Sequence, residues 1–182
     1  MLKKILIILL VASLRLNGQE IHSFKIENNH IEWQKIFESQ LLKSDIEKII
    51  KEKGIFKNIT FEEELLDGEI ENISPDYQGA GKSSWNTSFY VQNSSISGTF
   101  HIDFKDGRYR VTLNGINLKT INDLSGNGIS VMTANSVQPL SDFAIKKGEF
   151  KKGFLKADAQ IFEITFSNLF DFDKYELKSE DW

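Results

Sequence analysis

The stretch closest to a known chemical motif is Gly79-Ala-Gly-Lys-Ser83, which ends like a phosphate-binding loop. The full motif also needs a glycine five residues before Gly81, because the backbone there must come close to the phosphates. Asp76 occupies that position. The segment is therefore predicted to be a flexible loop and not a nucleotide site.

The histidines are the next candidates, since imidazole can bind a metal or move a proton. His22, His30 and His101 are scattered along the chain. None has a second histidine four residues later, the spacing that places two ligands on one face of a helix. No metal or cofactor site is predicted from them.

The run Glu62-Glu63-Glu64 could supply paired carboxylates for acid–base catalysis. On a strand, Glu62 and Glu64 would share one face and Glu63 would take the other. A charged edge exposed to solvent, which discourages the addition of a further strand, is the favoured interpretation. No catalytic residue is predicted.

The clearest structural pattern is a β-hairpin around Asp106-Gly107. Both residues tolerate the positive φ that a two-residue turn requires, and alternating runs flank them. Pairing outward from the turn gives one apolar face and one polar face, as in an antiparallel sheet covered on one side. Asp103 and Arg110 are predicted to form a cross-strand ion pair worth roughly a few tenths of a kcal/mol. The apolar pairs are Phe104 with Tyr109, Ile102 with Val111 and Phe100 with Leu113, and His101 pairs with Thr112 on the polar face.

Alternating apolar residues predict further strands on both sides of the hairpin. Asn28-Asn29 predicts a turn between two of them. Asp67-Gly68 is open to two interpretations, a tight hairpin or a bulge in one long strand that ends near Ile73. The predicted strands cover residues 22–26, 31–37, 58–66 and 85–91, and the predicted loops cover residues 74–83 and 119–138.

Two segments have the apolar spacing of helices. Ser44 and Glu47 form a capping box at the start of the first, and Gly54 is predicted to end it in the left-handed conformation. The second is predicted from Phe154 to about Phe170. The apolar side of the first helix is Leu42, Ile46, Ile49 and Ile50, and that of the second is Leu155, Phe162, Phe166 and Leu169, with Phe154 and Ile161 beside it.

The first 18 residues are predicted to be an export signal. Met1-Leu-Lys-Lys4 is a basic start, residues 5–12 form an apolar run too short to cross a bilayer, and Gly18 offers a small residue for cleavage before Gln19. The chain has no cysteine, which excludes disulfides, thiolate sites and lipoprotein acylation. The mature protein is expected in the periplasm or outside the cell, with no transmembrane span.

The charge of the mature chain bears on its partners. Cleavage would remove Lys3, Lys4 and Arg15, which leaves 19 basic residues against 26 acidic ones and moves the net charge from −4 to −7. No basic run remains to bind a phosphate backbone, so neither nucleic acid nor an anionic membrane surface is expected as a partner.

The order of the elements predicts a single α+β domain over residues 19–182. Its core is expected at about residues 24–170, followed by an acidic tail at residues 171–182. Each predicted helix has one apolar stripe and the sheet has one apolar face. The simplest way to bury all three is a two-layer arrangement, with two helices on one face of a curved antiparallel sheet.

Three short segments of the sequence resemble those of a known protein family. They are Ile31-Glu-Trp-Gln-Lys-Ile-Phe37, Gly54-Ile-Phe-Lys-Asn-Ile59 and, most specific, Phe104-Lys-Asp-Gly-Arg-Tyr-Arg-Val-Thr-Leu113. In this order they resemble a family of small exported bacterial proteins with a TBP-like fold and no assigned function. The resemblance implies a fold and export, and it offers no catalytic residues. TBP-like describes a shape here and does not imply DNA binding.

These observations favour a non-enzymatic binding or interaction module of the bacterial cell envelope, with an unknown envelope protein as partner. One alternative is a carrier of a small apolar ligand held between the sheet and the helices. Its pocket would be lined by Phe100, Phe104, Phe162 and Phe166 and would need a volume above roughly 300 Å³. A second alternative is a hydrolase whose acidic residues are dispersed in the sequence and converge in a cleft. The oligomeric state does not follow from the sequence.

Overall fold

The computed structural model describes residues 23–121 and 134–175. Its strands are β1 (Phe24–Glu27), β2 (His30–Glu38), β3 (Phe56–Phe61), β4 (Leu65–Ile73), β5 (Ser94–Lys105), β6 (Arg108–Thr120), β7 (Val137–Pro139), β8 (Ile145–Lys146) and β9 (Glu149–Phe150). Its helices are α1 (Lys43–Glu52), α2 (Phe89–Gln92), α3 (Leu140–Ala144) and α4 (Ala159–Phe170). The main sheet is antiparallel with the order β1-β2-β6-β5-β4-β3, β7 pairs with the end of β6, and β8 pairs with β9.

The predicted hairpin is confirmed with its register. Asp106-Gly107 connects β5 to β6, and Gly107 has a φ of +70°. All five predicted cross-strand pairs are present, from Phe104 opposite Tyr109 to Phe100 opposite Leu113. The Asn28-Asn29 turn between β1 and β2 is also confirmed, and both asparagines have positive φ.

The predicted two-layer α+β fold is confirmed, because α1 and α4 bury their apolar stripes in the same core as the inner face of the sheet. Aromatic rings join the two layers. Trp33 on β2 packs on Phe166 and Phe170 of α4, with ring centroids 5.5 and 6.0 Å apart. Phe100 on β5 packs on Phe170 at 5.4 Å. Burial of such large rings contributes a large apolar area that favours folding.

The start and the end of α1 differ from the prediction. The helix begins at Lys43, and the side chain of Asp45 accepts a hydrogen bond from the Leu42 amide at 3.0 Å. Ser44 is therefore inside the helix and does not cap it. Gly54 does not adopt positive φ, because the helix already ends at Lys53 in an extended conformation. The apolar side is confirmed at Ile46, Ile49 and Ile50, whereas Leu42 is 68% exposed.

The region of Glu62-Glu63-Glu64 also differs from the prediction. These residues are not on a strand edge but form the exposed turn between β3 and β4. Asp67-Gly68 is not the turn of a hairpin, since it lies within β4 in regular register with β5. The irregularity is in β3, whose pairing with β4 shifts register between Lys57 and Thr60, opposite Gly68. Glycine is needed at position 68 for packing. A Cβ there would lie 2.6 Å from Ile59 Cδ1 and 2.7 Å from Phe100 Cζ.

The predicted strand at residues 85–91 is wrong. Ser84–Asn86 forms a 3-10 turn and Phe89–Gln92 forms α2. The long predicted connection at residues 119–138 is shorter than expected at both ends, because β6 extends to Thr120 and β7 begins at Val137. Its central part, residues 122–133, lies outside the described residues.

The second long helix is confirmed with an irregular start. A π-helical turn at Phe154–Asp158 leads into α4, which ends at Phe170 as predicted. Phe162, Phe166 and Leu169 are buried, and Leu155 is half-buried. The core continues past the helix, since Phe172 is fully buried beside Tyr109.

Candidate functional site

An open groove lies at the end of the sheet where β5 turns into β6. Its volume is about 650 Å³. Three segments form its walls, namely the connection from β2 to α1, the turn between β3 and β4, and the tip of the β5–β6 hairpin. We call this site the hairpin-tip groove. Its lining includes Leu41, Leu42, Lys43, Glu63, Glu64, Phe104, Lys105, Arg108 and Tyr109.

Lys43 holds two walls of the groove together. Its ammonium group donates hydrogen bonds to the carbonyl oxygens of Glu62 and of Glu63, the latter at 2.8 Å. The same group lies 5.8 Å from the centre of the Phe104 ring. One cation thus fixes the β3–β4 turn against α1 and covers an aromatic side chain of the hairpin.

The third wall is fixed by Ser39, the residue that follows β2. Its amide donates to the Gly107 carbonyl at 3.0 Å. Its hydroxyl donates to Asp173 Oδ1 at 2.7 Å and accepts from the Leu41 amide at 3.1 Å. The groove is therefore preformed, because each wall is tied to a neighbour by specific hydrogen bonds.

Tyr109 forms the floor of the groove. It is 2% exposed, and its ring stacks on Phe37 with centroids 5.1 Å apart. Its hydroxyl donates to the Phe170 carbonyl at 2.7 Å and accepts from the Phe172 amide at 3.0 Å. Burial raises the pKa of Tyr109 well above its usual value, against the opposing effect of the Phe172 amide. The phenol therefore stays neutral and acts as a structural link between β6 and the end of α4.

Charged side chains of both signs line the rim. Lys105 and Arg108 project from the hairpin and are exposed, and they form no ion pair with any residue in 23–121 or 134–175. Glu63 and Glu64 are exposed on the β3–β4 turn. The groove thus has a rim of mixed charge, with Lys105, Asp106 and Arg108 on the hairpin and with Lys43, Glu63 and Glu64 on the other walls, which suits a partner that carries both polar and apolar groups.

A smaller cavity of about 200 Å³ lies beside the same hairpin. It shares Phe104, Arg108 and Tyr109 with the groove, and Ile36 and Leu65 add apolar surface from β2 and β4. Ile36 is 55% exposed. Apolar side chains of the outer sheet face therefore continue the surface of the hairpin-tip groove.

The predicted ion pair on the polar face is confirmed. Arg110 donates to Asp103 Oδ2 from Nε at 3.0 Å and from Nη2 at 2.8 Å. His101 lies between two carboxylates, with Nδ1 2.7 Å from Asp67 Oδ1 and Nε2 3.3 Å from Asp103 Oδ1. These four side chains connect β4, β5 and β6 across the outer face of the sheet.

The protonation of this network follows from its contacts. Partial burial by itself lowers the pKa of His101, but the hydrogen bonds and charges of Asp67 and Asp103 outweigh it and raise the pKa. Partial burial by itself raises the pKa of Asp103, but the contacts with Arg110 and His101 lower it. Each charge in the cluster lies beside an opposite charge, so the network is suited to joining the three strands.

Of the four phenylalanines of the predicted apolar pocket, three belong to the packed core and Phe104 lies at its edge. Phe100, Phe162 and Phe166 are at most 2% exposed and pack on other rings of the core. Only Phe104 reaches the groove and the smaller cavity, and neither is lined by the other three.

The remaining motif candidates have structural roles. Asp76, which stands where the phosphate-loop glycine would be, accepts a hydrogen bond from the Gly79 amide at 2.7 Å and shapes the turn. His30 is exposed at the start of β2, and His22 lies outside the described residues. In the part of the chain that the structure describes, no three His, Asp or Glu side chains group as metal ligands would.

The sequence reasoning missed the groove because its walls come from three distant segments. The sequence contains one signal of the groove, the pair Leu41-Leu42 directly before the start of α1. In the structure Leu42 is largely exposed. The pairing of this connection with Gly107 depends on the tertiary fold alone.

The fold and the site together define a two-layer α+β domain with an open groove at one end. No family model matches the sequence, and no curated protein matches it. Among residues 23–121 and 134–175, no helix is long and apolar enough to cross a membrane.

Two solved structures are similar to the chain. A TBP-like protein from Parabacteroides distasonis is 16% identical, with a TM-score of 0.45, and the match covers 84% of this chain and 98% of that protein. A DUF4468 family protein from Bacteroides ovatus is 12% identical, with the same TM-score, over 85% of this chain and 92% of that protein. The first of these neighbours bears the TBP-like name of the predicted resemblance. At this level of similarity the match concerns the fold and not the function.

Proposed function

We propose that the protein is a non-enzymatic binding or interaction module of the bacterial cell envelope, exported by residues 1–18, and that the hairpin-tip groove contacts its partner. The observation that carries the proposal is the preformed groove of about 650 Å³. A site of this size with an apolar floor and a charged rim can bind a side-chain cluster or a short segment of another protein.

The charged residues of the rim indicate which chemical groups a partner would need. Lys105 and Arg108 have no carboxylate partner within the described ranges, so binding need not break an existing ion pair there. A partner with a carboxylate beside an apolar side chain could pair with Arg108 while it covers Phe104 and Leu42. Charges of this kind at a rim mainly set orientation and the rate of association.

Site-specific photo-crosslinking in the producing cells tests this proposal. A photoreactive amino acid at Leu42, which is 68% exposed on the groove, should capture a discrete envelope protein. The same group at Val137, which is 58% exposed at the other end of β6, is the matched control and should not. Arg108→Glu should weaken the Leu42 crosslink.

Two results would contradict the proposal. Equal capture from both positions would mean that the groove is not the contact surface. Recovery of the protein only from the cytoplasm, with residues 1–18 still attached by intact mass, would remove the envelope role.

A second candidate is a carrier of a small apolar ligand, which the groove favours through Phe104, Leu41 and Leu42. The ligand would lie in the groove and not among Phe100, Phe162 and Phe166, because those rings are already packed. Native mass spectrometry of protein purified gently from its own cells separates the two candidates. A ligand mass that is lost on denaturation supports the carrier, and a bare protein mass supports the interaction module.

A further inference from the structure

The segment between the Gly79–Ser83 turn and β5 exposes two aromatic rings. Trp85 is 95% exposed and Phe89 is 57% exposed. We call Ser84–Gln92 the aromatic platform. Tryptophan is usually well covered in folded proteins, so a nearly fully exposed indole is unusual and calls for a role.

The platform is rigidly built although its rings point outward. The side-chain amide of Gln92 donates to the carbonyls of Ser84 and Thr87, both at 2.7 Å. The Thr87 hydroxyl donates to the Ser83 carbonyl at 2.9 Å. Thr87 and Val91 are buried beneath the exposed rings. The backbone around Trp85 is therefore fixed before any ligand arrives, which lowers the entropy cost of binding.

A buried carboxylate anchors the platform to the core. Asp158, at the end of the π-helical turn, is 3% exposed. Its Oδ2 accepts hydrogen bonds from Ser88 Oγ at 2.9 Å and from the Tyr90 hydroxyl at 2.6 Å. The Tyr90 ring stacks on Phe143 with centroids 4.5 Å apart. Alternate residues of the platform thus point inward to the anchor, while Trp85 and Phe89 point outward.

The residues next to the two rings in the sequence indicate which class of ligand could bind there. No Asp or Glu occurs between Asp76 and Asp103, although the chain contains 26 acidic residues, and Lys82 is the one Lys or Arg in that interval. The neighbours are Ser, Thr, Asn and Gln, including the exposed Asn86. An aromatic face beside uncharged amide and hydroxyl groups matches a neutral polyhydroxylated ligand, whose C–H face stacks on the ring while its hydroxyls bond to the amides.

Other occupants fit less well. Anionic lipid surfaces and single-stranded nucleic acid both require several cations near the aromatic rings, and the interval holds one lysine in a chain of net charge −4. A protein interface of ordinary size needs a contiguous apolar core, whereas Trp85 and Phe89 are separated by polar residues.

We propose that the aromatic platform is a binding site for neutral glycans, in which a sugar ring stacks on Trp85. The site is separate from the hairpin-tip groove and does not depend on it. Phe89 provides a second apolar surface, and the exposed side-chain amide of Asn86 can contact hydroxyl groups.

The test is a fluorine NMR titration of the mature protein labelled with 5-fluorotryptophan. The chain has three tryptophans, and Trp85→Phe identifies the signal of the exposed one. The probes are uncharged oligosaccharides of glucose, mannose and N-acetylglucosamine with α and β linkages. We expect the Trp85 signal to shift saturably with at least one probe while the signal of Trp33, which is fully buried, stays in place.

Calorimetry with the same oligosaccharide gives the size of the effect. Trp85→Ala should weaken binding roughly tenfold or more, as expected for a tryptophan at the centre of a contact. Val137→Ala removes another largely exposed apolar side chain, which belongs neither to the platform nor to the hairpin-tip groove, and should leave the affinity unchanged. Trp85 is a surface residue, so its replacement should not unfold the protein, and circular dichroism of the variant tests this.

Three results would overturn the glycan assignment. One is a Trp85 signal that does not respond to any of the oligosaccharides at millimolar concentration. Another is a response to phosphatidylcholine vesicles alone, which would assign the platform to a lipid surface. The third is a concentration-dependent dimer that Trp85→Ala abolishes, which would assign it to a second copy of the chain.

Discussion

At the scale of single residues, His101 shows how a charge can join neighbouring strands. Its ring lies between Asp67 on β4 and Asp103 on its own strand, and these carboxylates raise its pKa above the ordinary value despite partial burial. Arg110 faces the same cluster from β6. The imidazolium form is thus favoured by folding.

This arrangement predicts a pH dependence. Since the pKa of His101 is raised in the folded state, the extra stability is complete below the unfolded pKa of about 6.5 and is lost as the pH rises through the folded pKa. At pH 5.5 the free energy of unfolding of the wild type should exceed that of His101→Gln by less than about 1 kcal/mol. This difference should be smaller at pH 8.5. Urea titrations at both pH values measure this.

His30→Gln is the control, because this exposed histidine has no carboxylate contact within residues 23–121 and 134–175. An equal pH dependence in the two variants would remove the proposed role of His101. The effect should also decrease in high salt, since the cluster is partly exposed.

At the scale of elements, the close packing of β4 against its neighbours requires glycine. Gly68 has no space for a methyl group, since Ile59 and Phe100 lie less than 3 Å from the position of its Cβ. Gly153, at the start of the π-helical turn, has open space around it and helical angles of −63° and −45°. The space available for a side chain therefore differs between the two positions.

The same substitution at the two positions should have opposite effects. Gly68→Ala should lower the free energy of unfolding by about 1–3 kcal/mol, because the core must shift to accept the methyl group. Gly153→Ala should raise it by about 0.5–1 kcal/mol, because alanine loses less entropy in a helix. Thermal or urea unfolding of both variants provides the test, and a destabilised Gly153→Ala together with a neutral Gly68→Ala would contradict it.

At the scale of the whole molecule, Glu163 joins the helix layer to the sheet. Its carboxylate accepts a hydrogen bond from Trp33 Nε1 at 2.7 Å and pairs with Lys35 Nζ at 3.0 Å. The Ser167 hydroxyl donates to it from the next turn of α4 at 3.2 Å. A charged group can lie at this layer boundary because each of its oxygen atoms has a donor.

Glu163→Ala should destabilise the domain by about 2–3 kcal/mol, because the indole N–H of Trp33 would lose its acceptor in the core. Glu163→Gln keeps an acceptor and should cost less. Glu47→Ala is the surface control, since within residues 23–121 and 134–175 Glu47 pairs with Lys43 and Lys51 of its own helix alone, and the effect should stay below about 0.5 kcal/mol. Equal losses for Glu163→Ala and Glu47→Ala in urea unfolding would show that the layer contact is not important.

Local patterns predicted a large part of this molecule. The register of the β5–β6 hairpin follows from Asp106-Gly107 and the alternation around it, because a two-residue turn leaves only one pairing. The buried stripes of α1 and α4 follow from helical spacing in the same way. Two helical stripes and one apolar sheet face then imply two layers.

Other features were decided by contacts between distant residues. Trp85, Thr87, Phe89 and Val91 alternate as in a strand, yet the hydrogen bonds of Gln92 within the segment and of Asp158 from the π-helical turn hold it as a 3-10 turn and a helix. The hairpin-tip groove likewise needs three separate segments to meet. The sequence by itself determined the elements with a regular period and thereby the layers. Only the tertiary structure decided the groove, the aromatic platform and the position of Phe104 outside the packed core, because each depends on side chains that the fold brings together or keeps apart.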